Sequence, residues 1–360
     1  MADQDESLLN GGTRPPDAFQ DAHIGRTRPE AAFHLRQLQG YGFVRTVLGD
    51  IPAAELGACY AHEHIVIGPS FTTHETPDFL LDSVERGTEE LRAFHAAGGR
   101  AMIDSMPCDA GRDVRKLAAI SRASGVHLVC PTGLHLEKYY PPGHWGGVYS
   151  EEKLARLFVA DITEGIDAHD YSGPVVARTP HRAGVIKVAS GLDRVSDHER
   201  RIFAAAAAAH RATGCPILTH TEQGTAGIEQ VELFRAAGVD LRHVCLSHTD
   251  RRPDVAYHRE LLASGVSLEY DSGFRWKSGQ GNPTLDLVVR LLPEFPDRIM
   301  LGMDAARRGY WRHYGGTPGL TYLLTDFTAQ LRAAGMTAED WRRIFVSTPA
   351  ATFSFATPQP

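Results

Sequence analysis

From Phe43 onward, short runs of apolar and β-branched residues alternate with longer stretches of helical period. The apolar runs fall at 59–67, 100–105, 126–131, 184–189, 215–220, 243–248, 266–270 and 298–303. The stretches with apolar positions three and four apart lie mainly between them, at 83–96, 111–124, 150–168, 197–212, 225–237, 254–264, 284–292 and 319–334. Runs of the first kind predict strands, and strands alternating with helices imply parallel βαβ units. Eight such units fit a closed (β/α)8 TIM barrel better than an open sheet.

Boundary residues agree with this reading. Ser196 and Glu199 form a capping box ahead of an alanine-rich helix, and Thr337 with Asp340 opens a final one. Gly214, Gly238 and Gly265 stand where helices end before strands. The connection at 134–183 is long for a βα unit, and predicts an added helix and a Pro/Gly-rich loop over the barrel mouth. Residues 1–40 have no sustained apolar period and read as a mobile N-terminal arm or an oligomer contact. That leaves 41–360 as the barrel domain.

Composition narrows the classes. Hydrophobic residues make up 42% of the 360, enough for a large core, and the net charge of −7 gives no electrostatic footprint for nucleic acid. The five cysteines include no CxxC pair and sit mostly in or beside apolar runs, so they read as buried thiols in a reducing compartment. The acidic start MADQDESLLN lacks the features of a secretory signal. No window approaches the roughly 18 apolar residues of a membrane span. The expectation is a cytoplasmic protein acting on a small molecule, away from membranes.

Polar residues at the ends of apolar runs carry the candidate chemistry. His62 and His64 are two apart in AHEHIVI, so on a strand both face one side while Glu63 faces outward. His220 closes PILTH, His248 closes VCLSH and Asp304 closes IMLGMD. A single strand-end histidine is as readily a satisfied polar terminus as a ligand. Three such sites and an aspartate together suit a divalent metal at the rim where barrel enzymes gather their catalytic groups. Lys187 lies inside the apolar strand GVIKVAS, where an ammonium is costly without a partner. It is either ion-paired or converted to a carbamate by CO2.

The set AHEHI, GVIKVAS, PILTHTE, VCLSHTD and LGMDAAR, in that order from about residue 44 to 346, resembles the phosphotriesterase family of the amidohydrolase superfamily. The resemblance implies two divalent metal ions, zinc first and manganese, cobalt or nickel otherwise. His62, His64 and Asp304 would hold the more buried ion, and His220 and His248 the more exposed one. Carbamylated Lys187 and a hydroxide would bridge the pair. Asp304 would also take the proton from the attacking hydroxide, which makes Asp304 and Lys187 the catalytic residues. Family members are often homodimers, and the resemblance extends that expectation here.

LGMDAARRGYWRHYGGTPGLTYLL, TGLHLEKYYPP and SHTDRRPD resemble the sugar-lactonase branch. They favour a lactone or carboxylic ester, including a phosphorylated sugar lactone, over an amide or a phosphotriester on the same metals. A metal-containing binding protein without turnover is the reading from another class. Arg275 and Lys277, after the seventh strand, would grip a substrate phosphate. Tyr139 and Tyr140 would wall the pocket. Arg251, Arg252 and Arg307 are weaker candidates for the anion.

Overall fold

The computed structural model describes residues 42–276 and 281–358; the arm at 1–40 and Lys277 lie outside the described residues. An antiparallel hairpin, Phe43–Thr46 with Gly49–Pro52, leads into the barrel. The barrel strands are β1 Cys59–Glu63, β2 Ala101–Asp104, and β3 His127–Val129 continued as Pro131–Gly133. They go on with β4 Val185–Ser190, β5 Ile217–Thr221, β6 Val244–Ser247, β7 Ser267–Tyr270 and β8 Ile299–Leu301. Neighbours pair in parallel from β1 to β3 and from the second half of β3 to β8. The expected 126–131 strand is thus broken at Cys130, before a proline that has no N–H to donate. Its first half pairs with β2 and its second with β4.

Between the strands run α1 Val84–Ala96, α2 Val114–Ser124, α3 Glu151–Thr163 and α4 Asp197–Thr213. α5 Gly227–Ala236, α6 Val255–Ala263 and α7 Pro283–Leu291 continue the ring. A π-helical turn at Leu323–Phe327 leads into α8 Thr328–Ala333. The two capping boxes form, at Ser196 with Glu199 and at Thr337 with Asp340. α3 stops earlier than its pattern implies, just ahead of Gly165, whose φ of +127° no side chain tolerates well.

The ring closes between β8 and β1. The Asp304 N–H donates to the His62 carbonyl at 3.1 Å. The Glu63 carboxylate accepts from the N–H groups of Met303 (2.8 Å) and Ala305 (3.3 Å). Glu63 is therefore fully buried against the closing strand. The barrel floor is an apolar cluster that includes Cys59, Ala61, Ile103, Val129, Val185, Leu218, Cys245 and Met300, packed with Phe353. Side chains alternate along a strand, so Val185 and Leu218 set Lys187 and His220 one layer above this floor.

In β1 strict alternation from Ala61 would turn Glu63 inward. The pairing with β2 slips by one residue between Tyr60 and Glu63. That bulge reverses the parity and turns His62 inward, with Glu63 against the closing strand. Two glycines allow the close packing this needs. A Cβ on Gly133 would stand 1.9 Å from the Lys187 carbonyl oxygen, and one on Gly302 would stand 2.7 Å from that of His62.

Candidate metal centre

At the C-terminal ends of the strands, four imidazoles meet over a cavity of about 350 Å³. The ring centroids of His62 lie 5.5 Å from those of His64 and 4.5 Å from those of His248. His220 is 4.6 Å from His248. Asp304 Oδ1 is 3.1 Å from His64 Nε2 and 3.7 Å from His62 Nε2. Its Oδ2 is 4.0 Å from His248 Nδ1. Both His248 and Asp304 follow their strands at positive φ, +65° and +47°. A non-glycine residue holds that conformation at a cost, and it turns both side chains across the rim.

Lys187 is fully buried, and its Nζ has no hydrogen-bond partner. Burial brings its pKa down to about 8, against the pull of the Asp304 and Glu269 carboxylates. Burial, helped by the Lys187 charge, also holds His62 and His248 well below the usual imidazole range and His220 at about 4. His62, His220 and His248 are thus neutral. Burial works against ionisation of Asp304, but His248, His64, Arg275 and Arg251 outweigh it and keep its carboxyl well below the ordinary value. Neutral imidazoles beside an ionised carboxylate are the donor set that a divalent ion takes up without displacing protons. Ligating atoms of His62, His64 and Asp304 lie within 4.8 Å of one another.

Groups behind the imidazoles orient them. His62 Nδ1 is hydrogen-bonded to Ser247 Oγ at 2.8 Å and faces Glu269 Oε2 at 3.8 Å. His248 Nδ1 is hydrogen-bonded to the buried Asp271 carboxylate. His220 Nε2 is hydrogen-bonded to Glu222 Oε2 at 2.8 Å, and Glu222 is tied to Lys138 Nζ at 3.1 Å. The His220 bond brings the Glu222 carboxyl down to about 2. Fixing one ring nitrogen leaves the other to aim its lone pair. Sequence reasoning passed over Asp271, Glu269 and Glu222. Glu269 carried the signal that singled out Lys187, a charged residue inside an apolar strand.

The substrate-side expectations divide. Tyr139 lines the cavity. Tyr140 does not: its hydroxyl accepts the His135 N–H at 2.8 Å, and its ring stacks on His144 at 4.3 Å. Arg275 lines the cavity, but its guanidinium is already engaged. It donates to the Asp304 carbonyl at 2.7 Å and to Asp271 Oδ1 at 3.2 Å. Arg251 reaches the cavity and bonds Asp304 Oδ2 at 2.6 Å. Arg307 is the looser cation, 3.5 Å from Asp78 and over the Phe79 ring. Arg252 stacks on Tyr257. His135 also lines the cavity.

The long connection serves two ends. Residues after Gly133 bring His135 and Tyr139 to the mouth. The later part packs on the loop after β2, where Arg112 bonds Asp161 (3.0 Å) and Asp170 (2.6 Å), and reaches the entry hairpin, where His181 Nδ1 is hydrogen-bonded to the Val47 carbonyl. The five cysteines are buried and free, as their sequence context implies.

The phosphotriesterase family model matches residues 42–353. This chain belongs to the phosphotriesterase family. It is a metal-dependent hydrolase. A phospho-furanose lactonase of Mycoplasmopsis agalactiae is 32% identical over 88% of this chain and 93% of its own length. An amidohydrolase of Mycoplasma synoviae superposes with a TM-score of 0.84 at 31% identity, covering 89% of this chain and 94% of its own. The phosphotriesterase homology protein of Escherichia coli, solved with phosphate in its active site, gives 0.76 at 28% identity over 83% and 99%. Among the described residues no helix is long and apolar enough to cross a membrane.

Proposed function

We propose that the chain opens lactones, among them phosphorylated sugar lactones, with two divalent ions held by His62, His64, His220, His248, Asp304 and a carbamate on Lys187. The observation that carries this reading is Lys187 Nζ, buried without a partner beneath the imidazoles and Asp304. An amine with a pKa near 8 is appreciably neutral at working pH. It adds to CO2 with formation of an N–C bond and loss of one proton to solvent. The orphaned cation becomes an anion with two oxygen donors. When bound, the ions lower the pKa of water to near neutral and polarise a carbonyl.

Asp304 accepts the proton of the attacking water on its carboxylate and returns it to the departing alkoxide. Arg251 and Arg275, bonded to its Oδ2 and to its main-chain carbonyl, hold that carboxylate ionised and aimed. Asp271 and Glu222 fix the rings of His248 and His220. A lactone is favoured over an amide because the phospho-furanose lactonase relative, at 32% identity, is more similar to this chain than an N-acetyltaurine hydrolase of Rattus norvegicus at 26%. Arg275, Arg307 and Lys277 give an anionic substituent its counter-charge, with Arg275 partly released from Asp271 when that group arrives.

The test is a panel of lactones, open-chain esters, amides and a phosphotriester on metal-loaded protein, with phosphorylated and plain sugar lactones side by side. The expected order of kcat/KM puts lactones first. Arg275→Ala is expected to lower kcat for every lactone, because Asp304 loses a tie, and to raise KM more for the phosphorylated lactones than for the plain ones. An amide or phosphotriester preferred by roughly tenfold or more overturns the lactone assignment.

A further inference from the structure

His135 is fixed in one tautomer by its own chain. The Leu136 N–H donates to His135 Nδ1 at 2.7 Å, so Nδ1 is an acceptor and the ring proton is on Nε2. No described residue accepts from that Nε2, although the ring lines the cavity. The ring is also held rigidly. It packs edge-on against Tyr139 at 4.4 Å and against His220 at 4.8 Å, and its main-chain N–H is tied to the Tyr140 hydroxyl. The tie between Lys138 and Glu222 joins this loop to the residues after His220. A rigid N–H donor beside the imidazole cluster, with no protein acceptor, is the kind of group that reads a substrate.

We infer that His135 is a specificity-determining residue whose Nε2–H hydrogen-bonds a hydroxyl oxygen carried on the lactone ring. The inference rests on the lactone reading and assigns the residue that reads a ring hydroxyl of a sugar lactone. Arg251, Arg275 and Arg307 are suited to a full negative charge, and the imidazoles with Asp304 to the ions. A neutral donor on the same cavity is matched to a neutral oxygen. A donor that the bound lactone covers without accepting from it is penalised, so the site discriminates against a lactone that lacks the hydroxyl.

Two variants separate donation from shape. His135→Phe keeps a flat ring against Tyr139 and His220 but removes the donor. His135→Gln sets an amide N–H near the position of Nε2. The experiment measures kcat/KM for a dihydroxylated γ-lactone and for unsubstituted γ-butyrolactone, on wild type and both variants matched in metal content and melting temperature. The expected result is a loss of roughly 10- to 100-fold for the hydroxylated lactone in His135→Phe. γ-Butyrolactone should stay within about threefold, and His135→Gln should recover most of the loss. Equal losses on both substrates, no loss on either, or a Gln variant no better than Phe overturns the inference. A wild type that turns over neither lactone but cleaves another class overturns the lactone reading itself. A wild type that turns over both, with all variants alike, overturns only the role of His135.

Discussion

Arg251 Nη2 lies 2.6 Å from Oδ2 of Asp304, and the same nitrogen is 3.2 Å from Oδ1 of Asp271. Arg275 bridges the same two carboxylates at 3.4 and 3.2 Å, so two guanidiniums offset the two negative charges. In the metal-free protein, Arg251→Met leaves them with Arg275 alone, a loss on the order of 3 kcal/mol. Ions bound as proposed would supply positive charge at the same place. Melting curves are therefore expected to show a drop of several degrees for metal-free Arg251→Met and a clearly smaller one for the loaded protein. An equal drop in both states would remove Arg251 from the charge balance of the centre.

Asp304→Asn keeps the shape of the side chain and loses the proposed base. Its turnover is expected to fall by roughly 10²- to 10⁴-fold with an unchanged circular dichroism spectrum. Retention of more than about a tenth of the wild-type kcat would mean that another group takes the proton.

The pH dependence of stability has a source away from the centre. His210 Nδ1 is hydrogen-bonded to the Cys215 carbonyl at 2.8 Å, and its Nε2 accepts the Asp240 N–H at 3.3 Å. Only a neutral ring does both. Burial, with His243 adding to it, lowers the pKa below 6.5 against the opposing pull of Asp240. Below about pH 6.5 the unfolded chain binds the extra proton first, so stability is whole above that value and lost as pH falls. Melting temperature measured from pH 7.5 to 5.5 is expected to decline. His210→Gln should melt lower at pH 7.5 and decline less steeply. A variant with the wild-type slope would clear His210 of the effect.

Much of this architecture is legible in the chain because it is local. The capping box at Ser196 and Glu199, the helix-ending glycines and the alternating apolar runs are written in adjacent residues. Lys187 stands out because an ammonium inside an apolar strand needs a reason. What escapes the sequence is set by contacts between distant segments. The one-residue slip between β1 and β2 decides which way Glu63 turns, and it depends on how β2 lies alongside. Cys130 breaks a strand because its two halves have different neighbours. Arg275 reads as a free cation in YDSGFRWK, but Asp304, 29 residues on, supplies its carbonyl acceptor. Tyr140 is diverted from the cavity by His135 and His144.

The carbamate proposed on Lys187 would also make the centre dependent on CO2. Metal reconstituted in CO2-free buffer is expected to give low activity that rises on adding bicarbonate. Lys187→Ala is expected to regain part of its activity with a short carboxylate such as acetate or propionate. Indifference of the wild type to bicarbonate would mean that the lysine acts as an amine or an ion-pair partner.

The central claim is most directly met by counting metal in protein loaded with zinc in the presence of bicarbonate and freed of excess ion. Inductively coupled plasma mass spectrometry should find close to two zinc ions per wild-type chain and clearly fewer in Lys187→Ala. One ion or none in the wild type, or an undiminished pair without the lysine, would contradict it.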